Sequence, residues 1–382
     1  MPVLLVGGTE VQTLHHVRAL AASYDVTVCC YYEYVDAVVD RFREAGAKVL
    51  LLGLDRSGKG SAVAVLWILL RKLVSLFRET RPDIVHVQYL APGLVPVVAA
   101  RLAGVRTVFA TVHIAGNYAY GQKAKVMLRT AASLCTTFFC VSRGVEEFWF
   151  GESAVLDDRS AKAGRRHYTI YNAVDVEEIR DSANAPGVEE VRRSLGLANR
   201  SVLGIVGRLA EQKGHSVLLD ALPEVIGCFP EVALLVVGDG PERQVLEKKA
   251  AYLNVAGHII WLGSKSQDEV FGLYGVMDIF VMPSLYEGFG LTAAEAMAAG
   301  LPVVASDIEG LREVVEHQKT GYLCPAGDSR HLACRLLELL ESPDRAREMG
   351  RLGRQRAAAL FSLETFAESI LLAYRDLESR VR

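Results

Sequence analysis

Short apolar runs alternate with segments of helical period along most of this chain. In its first half the apolar runs lie at residues 3–6, 26–30, 84–87, 107–111 and 137–141, and helices are predicted between them. Strands that alternate with helices in this way form a parallel sheet with helices on both faces. The alternation therefore predicts an α/β fold built on a doubly wound sheet.

The same alternation restarts after a polar stretch in the middle of the chain. Residues 175–200 contain Pro186, Gly187 and several charges but no convincing strand, so we predict the interdomain linker there. Further apolar runs follow at 202–206, 233–237, 258–261, 279–282 and 302–305. We predict two Rossmann-like domains, 1–178 and 179–360, facing each other across a deep cleft, and a C-terminal helix over 361–382 that could cross back to the first domain. Such sheets bind ligands at the carboxyl ends of their strands.

The net charge and the spacing of cysteines and carboxylates limit which ligands and partners this chain is expected to bind. The net charge of −3 argues against a dedicated nucleic-acid binder. None of the seven cysteines has zinc-ligand spacing, and no D-x-D carboxylate pair occurs, so no metal site is predicted. The chain opens on a strand-like run rather than a signal peptide, and its cysteines suit a reducing compartment, so a cytoplasmic location is expected.

Two glycines follow the first predicted strand. Gly7 and Gly8 precede Thr9, where the next helix is predicted to start. Glycine lets a bulky group approach the backbone, and a helix N-terminus presents unpaired N–H groups to an anion. A plain tight turn explains the same residues equally well.

Two cations follow the predicted strand at 202–206. Arg208 and Lys213 lie five residues apart in a loop that contains Gly207 and Gly214. Arginine can contact two phosphate oxygens, and lysine acts as a point charge. A diphosphate leaving group needs such charge as its bond to a sugar breaks. Solvated loop cations are the alternative, but the strand-end position favours an anion site.

The most informative segment, residues 283–297, leaves a predicted strand through a glycine-bearing loop and enters a helix. Glu287 lies in the loop and Glu295 in the predicted first helical turn. Carboxylates suit sugar hydroxyls because each oxygen accepts hydrogen bonds. The backbone amides of Phe289, Gly290 and Leu291 are expected to point into the cleft as donors.

The two glutamates differ in their structural alternatives. Thr292-x-x-Glu295 fits a capping box, so helix capping could be the whole purpose of Glu295. Glu287, between Tyr286 and Gly288, has no such alternative. It is either solvated or a ligand group, and the neighbouring glycines favour a ligand group.

Two further strand ends carry candidate residues. Gly238-Asp239-Gly240 forms a predicted turn in which Asp239 is a turn or cap residue, although the glycines could let a nucleotide approach. His113 follows the run at 107–111, where a structural and a catalytic role are equally open.

Taken in order along the chain, these motifs resemble the group 1 glycosyltransferases, which are retaining enzymes of family 4 with the GT-B fold. The resemblance spans nearly the whole chain and is most specific in the second half. It is carried by Tyr171-Asn172-Ala173-Val174-Asp175, Val206-Gly207-Arg208 with Lys213-Gly214, Gly238-Asp239-Gly240, Leu262-Gly263, Glu287-x7-Glu295 and residues 300–306. The chain departs from the family at Ala173 and Glu309, where glycine is common, and in the loop at 7–11.

The resemblance implies a role for each candidate residue. Arg208 and Lys213 would bind the donor diphosphate, Glu295 the ribose and Glu287 the donor sugar. The remaining implied contacts are the backbone amides of Phe289, Gly290 and Leu291, the turn at Gly238 and Asp239, His113 against the sugar, and Gly8 against the diphosphate or the acceptor.

The implied reaction moves a sugar from a UDP- or GDP-linked donor to an acceptor hydroxyl, with retention and with neither metal nor other cofactor. The acceptor could be lipid-linked, a glycan or a small molecule. A nucleotide-sugar epimerase of the same fold and a non-catalytic nucleotide-sugar binding subunit are the alternatives. Incubation with donor alone separates the three: an epimerase yields a new sugar nucleotide, a transferase yields at most slow hydrolysis, and a binding subunit yields no product.

One amphipathic segment suggests peripheral contact with the inner face of a membrane. Residues 62–77 place Trp67 and several leucines beside Arg71 and Lys72. The apolar stretch at 62–70 is too short to span a bilayer. Packing of this helix on the N-terminal sheet is the favoured alternative, because it lies within a βαβ pattern.

Overall fold

The computed structural model describes residues 1–5, 7–55, 62–89, 93–113 and 121–379, with the side chains of residues 62 and 376–379 left undescribed. The chain divides into two compact units. The first contains Met1–Ala173 and Leu363–Arg382, and the second contains Val174–Ser362. The units thus meet in sequence at Ala173, earlier than the expected position at residue 178.

The first unit alternates helices and strands. Its helices before the unit boundary are α1 Gly8–Leu20, α2 Asp36–Glu44, α3 Ala62–Thr80, α4 Val95–Leu102, α5 Gln122–Leu134, α6 Arg143–Phe150 and α7 Asp158–Lys162. Its strands are β1 Thr27–Cys30, β2 Lys48–Leu51, β3 Ile84–Tyr89, β4 Thr107–Val112, β5 Thr137–Cys140 and β6 His167–Thr169. All the pairings are parallel, in the orders β1-β2 and β3-β4-β5-β6.

The start of the chain differs from the prediction. In place of a strand at 3–6, Leu4 forms a single parallel bridge to Tyr34, and Val6 lies outside the described residues. Helix α1 begins at Gly8 rather than Thr9. Strands β2 and β6 were not predicted, because one is half-exposed and the other has only three residues.

The second unit contains one six-stranded parallel sheet. Its strands are β7 Ser201–Val206, β8 Val232–Val237, β9 Ile259–Gly263, β10 Ile279–Met282, β11 Val303–Ser306 and β12 Gly321–Cys324. Its helices are α8 Val176–Ala183, α9 Val188–Ser194, α10 His215–Cys228, α11 Arg243–Tyr252, α12 Gln267–Tyr274, α13 Leu291–Ala299, α14 Glu309–Val314, α15 Ser329–Glu341 and α16 Pro343–Leu360. The order β9-β8-β7-β10-β11-β12 reverses direction between β7 and β10, so these two strands form the switch point of a doubly wound sheet.

Two helices, α8 and α9, form most of the segment at 175–200, so the prediction of a linker there was wrong. The side chain of Asp175 accepts a hydrogen bond from the Glu178 amide and caps α8. Val176, Ile179 and Ala183 are buried on one side of this helix, which packs against α12 and α13. The exposed charges that suggested a linker lie on α8 and α9 of the second unit, and Pro186 and Gly187 lie in the turn between these helices.

The last helix, α17 Leu363–Ser379, belongs to the first unit and packs on α1. Phe366, Ile370 and Tyr374 of α17 join a core that includes Phe109 and Phe139. Burial of each such side chain contributes roughly 1.5–3 kcal/mol to folding. No helix within the described ranges combines the length and the apolarity that a bilayer-spanning segment requires.

Candidate active site

The loops that follow β7 and β10 touch each other at the switch point of the second unit. The Leu285 amide donates to the Gln212 carbonyl at 2.8 Å, and the Gln212 side chain donates to the Tyr286 carbonyl at 3.1 Å. Gly214 lies between them with a φ of +67°, and a Cβ at this position would lie 1.9 Å from the Pro283 carbonyl oxygen. Only glycine fits this approach, which holds the two loops together.

An ion pair joins the same two loops. Lys213 Nζ lies 2.5 Å from Glu287 Oε1, and Ser284 Oγ donates to that oxygen at 3.1 Å. The Glu287 side chain is 10% exposed and that of Lys213 is 25% exposed. The solvated alternative for Glu287 is therefore wrong, because its carboxylate is held in the site by two partners. Truncation of either member would leave a poorly solvated charge behind.

Arg208 supplies a second cation in the loop that carries Lys213. It follows the end of β7 by two residues, and its side chain is exposed. Among the described residues none forms a hydrogen bond or an ion pair with its guanidinium group. Unlike Lys213, Arg208 is thus available to bind an anion without first breaking an internal contact.

Glu295 does not cap α13, so the capping-box alternative is wrong, and the residue lies beyond the first helical turn in which it was predicted. Helix α13 begins at Leu291 after Gly290, no side chain caps it, and Glu295 is its fifth residue. Glu295 Oε2 instead accepts a hydrogen bond of 2.6 Å from the hydroxyl of buried Tyr274. Burial raises the pKa of the Glu295 carboxyl, and the Tyr274 hydrogen bond opposes this shift.

The N-terminus of α13 directly follows the loop that contains Glu287. Gly290 has a φ of +101°, a conformation that favours glycine, and it directs the chain into the helix. The amides of Leu291 and Thr292 have no hydrogen-bond acceptor among the described residues, as expected for the first turn of a helix. The Phe289 ring is buried and packs edge-on against Phe361 at 5.2 Å between centroids, so this side chain anchors the loop.

Gly238 and Asp239 follow β8, next to the loop of β7. Asp239 Oδ1 accepts from the Gly240 amide at 2.7 Å, and its carbonyl accepts from the Leu209 amide at 3.0 Å. A Cβ on Gly238 would lie 2.0 Å from the Gly207 carbonyl oxygen. Asp239 is therefore a turn residue here, and the two glycines let the loops of β7 and β8 approach.

The remaining candidates lie in the first unit. Gly8 is the first residue of α1. His113 directly follows β4, and its Nε2 lies 2.8 Å from Gln88 Oε1. Burial, together with nearby His16, lowers the pKa of His113 to about 3. The imidazole is therefore neutral near pH 7 and can act as a hydrogen-bonding group rather than as a cation.

Three residues of the site were missed in the sequence. Ser284 and Gln212 hold the two loops, and Tyr274 holds Glu295. Ser284 could have been found, since it stands beside Pro283 directly after β10. Tyr274 is the last residue of an ordinary amphipathic helix, and no local signal marks it. In the part of the chain that the structure describes, no cluster of three or more metal-binding side chains occurs.

Comparison with known proteins identifies the family. The family model "Glycosyl transferases group 1" matches residues 187–356, and the "Glycosyl transferase 4-like domain" matches residues 7–148. The GDP-mannose-dependent alpha-(1-6)-phosphatidylinositol monomannoside mannosyltransferase of Mycobacterium tuberculosis is 29% identical over 88% of this chain and 85% of its own. The enzyme of the same name from Mycolicibacterium smegmatis is 30% identical over 68% of this chain and 67% of its own.

Solved structures show the same fold. HepE from Anabaena, crystallised with UDP and glucose, matches with a TM-score of 0.79 and 22% identity over 97% of this chain and 96% of its own. Sucrose-phosphate synthase from Thermosynechococcus elongatus matches with the same TM-score and 21% identity over 100% of this chain and 96% of its own. The chain therefore belongs to the group 1 glycosyltransferases, and it is a GT-B enzyme of two Rossmann-like domains that uses a nucleotide-sugar donor.

Proposed function

We propose that this enzyme transfers a hexose from a nucleoside-diphosphate sugar to a hydroxyl group with retention of configuration and without a metal ion. The observation that carries the proposal is the arrangement at the switch point. Arg208 and the Lys213–Glu287 pair lie where two loops converge beside the N-terminus of α13. Ligands of doubly wound sheets bind at this position.

In the proposed reaction the bond between the sugar C1 and the diphosphate oxygen breaks as the acceptor oxygen bonds to C1 from the same face. The acceptor proton passes to the departing diphosphate oxygen, so no protein base is required. The leaving group gains negative charge in this step. Arg208, Lys213 and the first amides of α13 would stabilise that charge, which is the largest catalytic contribution we assign to the protein.

In this proposal the two glutamates bind different parts of the donor. Glu295, held by Tyr274, accepts hydrogen bonds from the ribose hydroxyls, and Glu287 accepts them from hydroxyls of the transferred sugar. A diphosphate that approaches Lys213 competes with Glu287 for the ammonium group. Donor binding would then free Glu287 oxygen atoms for the sugar.

We propose GDP-mannose as the donor. The relatives from M. tuberculosis and M. smegmatis both carry GDP-mannose in their names, and HepE, which was crystallised with UDP, is less similar in sequence. Product analysis with GDP-mannose, GDP-glucose, UDP-glucose and UDP-galactose tests this, each with EDTA and with magnesium. Turnover of GDP-mannose that EDTA leaves unchanged supports the proposal. Turnover only of a UDP-sugar overturns the choice of donor, and loss of activity in EDTA overturns metal independence.

We also propose that the acceptor is lipid-linked and that α3 brings the enzyme to the membrane. Leu69 and Leu73 are buried, so one side of this helix packs on the first unit. The other side exposes Val63, Leu66, Trp67 and Ile68, with Arg71 and Lys72 adjoining them. Exposed apolar side chains beside cations suit an anionic lipid surface. The two mannosyltransferase relatives name a phosphatidylinositol derivative as acceptor, which is consistent with this proposal.

A further inference from the structure

A row of polar side chains crosses one face of the sheet in the first unit. The register pairs Gln88 of β3 with Thr111 of β4, and the side chains of a strand alternate between the two faces of its sheet. The row therefore consists of His86, Gln88, Thr111 and His113, the last of which directly follows β4. Strands of such sheets are mostly apolar, and a buried polar group there needs a hydrogen-bond partner.

His86 finds its partners in this row without Gln88. Its Nδ1 lies 2.9 Å from the Tyr374 hydroxyl of α17, and its Nε2 lies 2.7 Å from the Thr111 hydroxyl. A hydroxyl both donates and accepts, so these partners fit either tautomer of His86. Gln88 and His113 differ from this arrangement, because an amide oxygen only accepts.

The Gln88 amide oxygen determines which ring nitrogen of His113 carries the proton. Gln88 is 5% exposed, and its Oε1 lies 2.8 Å from His113 Nε2, which must donate to it. Burial lowers the pKa of His113 to about 3, so the ring carries a single proton near pH 7. That proton is on Nε2, and Nδ1 carries a lone pair. Within the described part of the chain Nδ1 forms no hydrogen bond, and the His113 side chain is only partly buried.

Building on the proposed function, we propose that Gln88 is a positioning residue: it holds His113 as the Nε2–H tautomer, and Nδ1 accepts a hydrogen bond from a substrate hydroxyl. The backbone of His113 is held in place as well, because its amide donates to the Tyr89 carbonyl at 3.3 Å. The ring follows the carboxyl end of β4, and ligands of doubly wound sheets bind at such strand ends.

The tautomer determines which substrate group this ring can bind. A lone pair at Nδ1 accepts from an O–H group, but it offers no proton to a phosphate or carboxylate oxygen. The opposite tautomer would donate from Nδ1 and would bind those anionic oxygens. Gln88 thus selects a hydroxyl over an anion at this position.

Nitrogen NMR of enzyme labelled with ¹⁵N-histidine tests the tautomer at pH 8 in the absence of substrate. The chain has nine histidines, and His113→Asn identifies the His113 signals by their loss. A ring nitrogen that carries a proton and one that carries a lone pair resonate far apart, so the spectrum distinguishes the tautomers. Gln88→Met removes the acceptor oxygen at similar size, and Gln88→Glu keeps an acceptor oxygen. Thr111→Val is the matched control, because it changes the row beside His86 instead.

We expect Nε2 to carry the proton in the wild type, in Gln88→Glu and in Thr111→Val, and Nδ1 to carry it in part of the Gln88→Met molecules. A proton on Nδ1 in the wild type would show that the Gln88 amide donates instead, and it would overturn the proposal. An unchanged tautomer in Gln88→Met would overturn it as well. The wild-type spectrum decides the first point even if Gln88→Met does not fold.

Steady-state kinetics then test the substrate hydroxyl in two reactions, hydrolysis of GDP-mannose without acceptor and transfer from GDP-mannose to phosphatidylinositol. Gln88→Met should lower kcat/KM at least about tenfold, because a hydrogen bond to the substrate is lost, and Gln88→Glu should restore most of it. Thr111→Val should leave kcat/KM unchanged. A loss in both reactions assigns the hydroxyl to the donor sugar, and a loss in transfer alone assigns it to the acceptor.

Unchanged kcat/KM of Gln88→Met in both reactions would overturn the role of Nδ1 toward the substrate. A wild type that turns over no nucleotide sugar would contradict the proposed function itself. The two failures are distinguishable, because the tautomer is measured in the free enzyme and requires no turnover.

Discussion

The two glutamates of the second unit stand in different electrostatic surroundings. Glu287 shares an ion pair with Lys213, so its charge is balanced within the site. Among the described residues none forms an ion pair with Glu295, whose carboxylate accepts a hydrogen bond from the Tyr274 hydroxyl. A neutral hydrogen bond stabilises a buried carboxylate less than an ion pair does. The two residues should therefore respond differently to the same substitution.

Glutamine at each position should separate the two roles. Glu295→Gln should weaken binding of free nucleoside diphosphate about tenfold or more, because it removes a charged acceptor from the proposed ribose site. Glu287→Gln should not weaken that binding, because it frees Lys213 for the diphosphate, yet it should sharply reduce turnover. Calorimetric titration and steady-state kinetics measure both effects. Wild-type nucleotide affinity in Glu295→Gln would exclude this residue from the nucleotide site.

Tyr274 should set the pH at which the donor binds. Glu295 must be ionised to accept from the ribose, so donor affinity should fall as the pH drops through its raised pKa, above the usual range of a glutamate. Tyr274→Phe removes the hydrogen bond that opposes this rise, and it should shift the acid limb to higher pH while the affinity at high pH changes less. Tyr252→Phe, at an 85% exposed position, is the control. A superimposable pH profile in Tyr274→Phe would show that the tyrosine only packs.

Among the elements, those with a strong local pattern could be predicted from the sequence. Continuous apolar runs marked β4, β8 and β10, because these strands are buried on both faces. Helix α8 was missed because its four charged residues outnumber its three buried residues. For the site, the strand-end positions of Arg208, Lys213 and Glu287 could be predicted. Partners distant in sequence, such as Tyr274 for Glu295, depend on tertiary packing and could not.

Helix α3 is the element whose role at a membrane can be tested alone. The chain should float with vesicles that contain anionic lipid at low salt. The double variant Trp67→Ser, Ile68→Ser should remain in solution, because it removes two exposed apolar side chains. Tyr252→Ser removes an exposed ring of the second unit as a control. Equal flotation of wild type and the double variant, or no flotation of wild type, would contradict the proposed membrane contact.

Among the described residues, more buried histidines with a lowered pKa lie in the first unit than in the second. Burial is the main cause that lowers the pKa of His15 and His113 to about 3, and that of His16 to about 4, in the first unit. In the second unit burial lowers the pKa of His215 to about 4. Below their ordinary pKa of 6.5 these groups bind protons in the unfolded chain but not in the folded one. Stability is therefore lost as the pH falls from 6.5 toward 4.

The first unit should accordingly open before the second on acidification. Amide hydrogen exchange between pH 7 and pH 4.5, corrected for the intrinsic rate at each pH, measures the protection of each unit separately in the intact chain. We expect protection to decrease earlier in β4 and β5 than in β8 and β10. Earlier loss of protection in the second unit would show that groups other than these histidines govern acid stability.

We propose that nucleoside diphosphate binds at the switch point of the second unit through Arg208 and Lys213. Calorimetric titration of GDP in the presence of EDTA tests this binding site with the wild type, Arg208→Ala and Lys213→Ala. The control is Arg347→Ala, because the Arg347 side chain is 74% exposed on α16. Each of the first two variants should bind at least about tenfold more weakly, because a charge-assisted contact to phosphate is lost. Arg347→Ala should bind as the wild type does. Unchanged affinity in both Arg208→Ala and Lys213→Ala would show that nucleoside diphosphate does not bind through these residues.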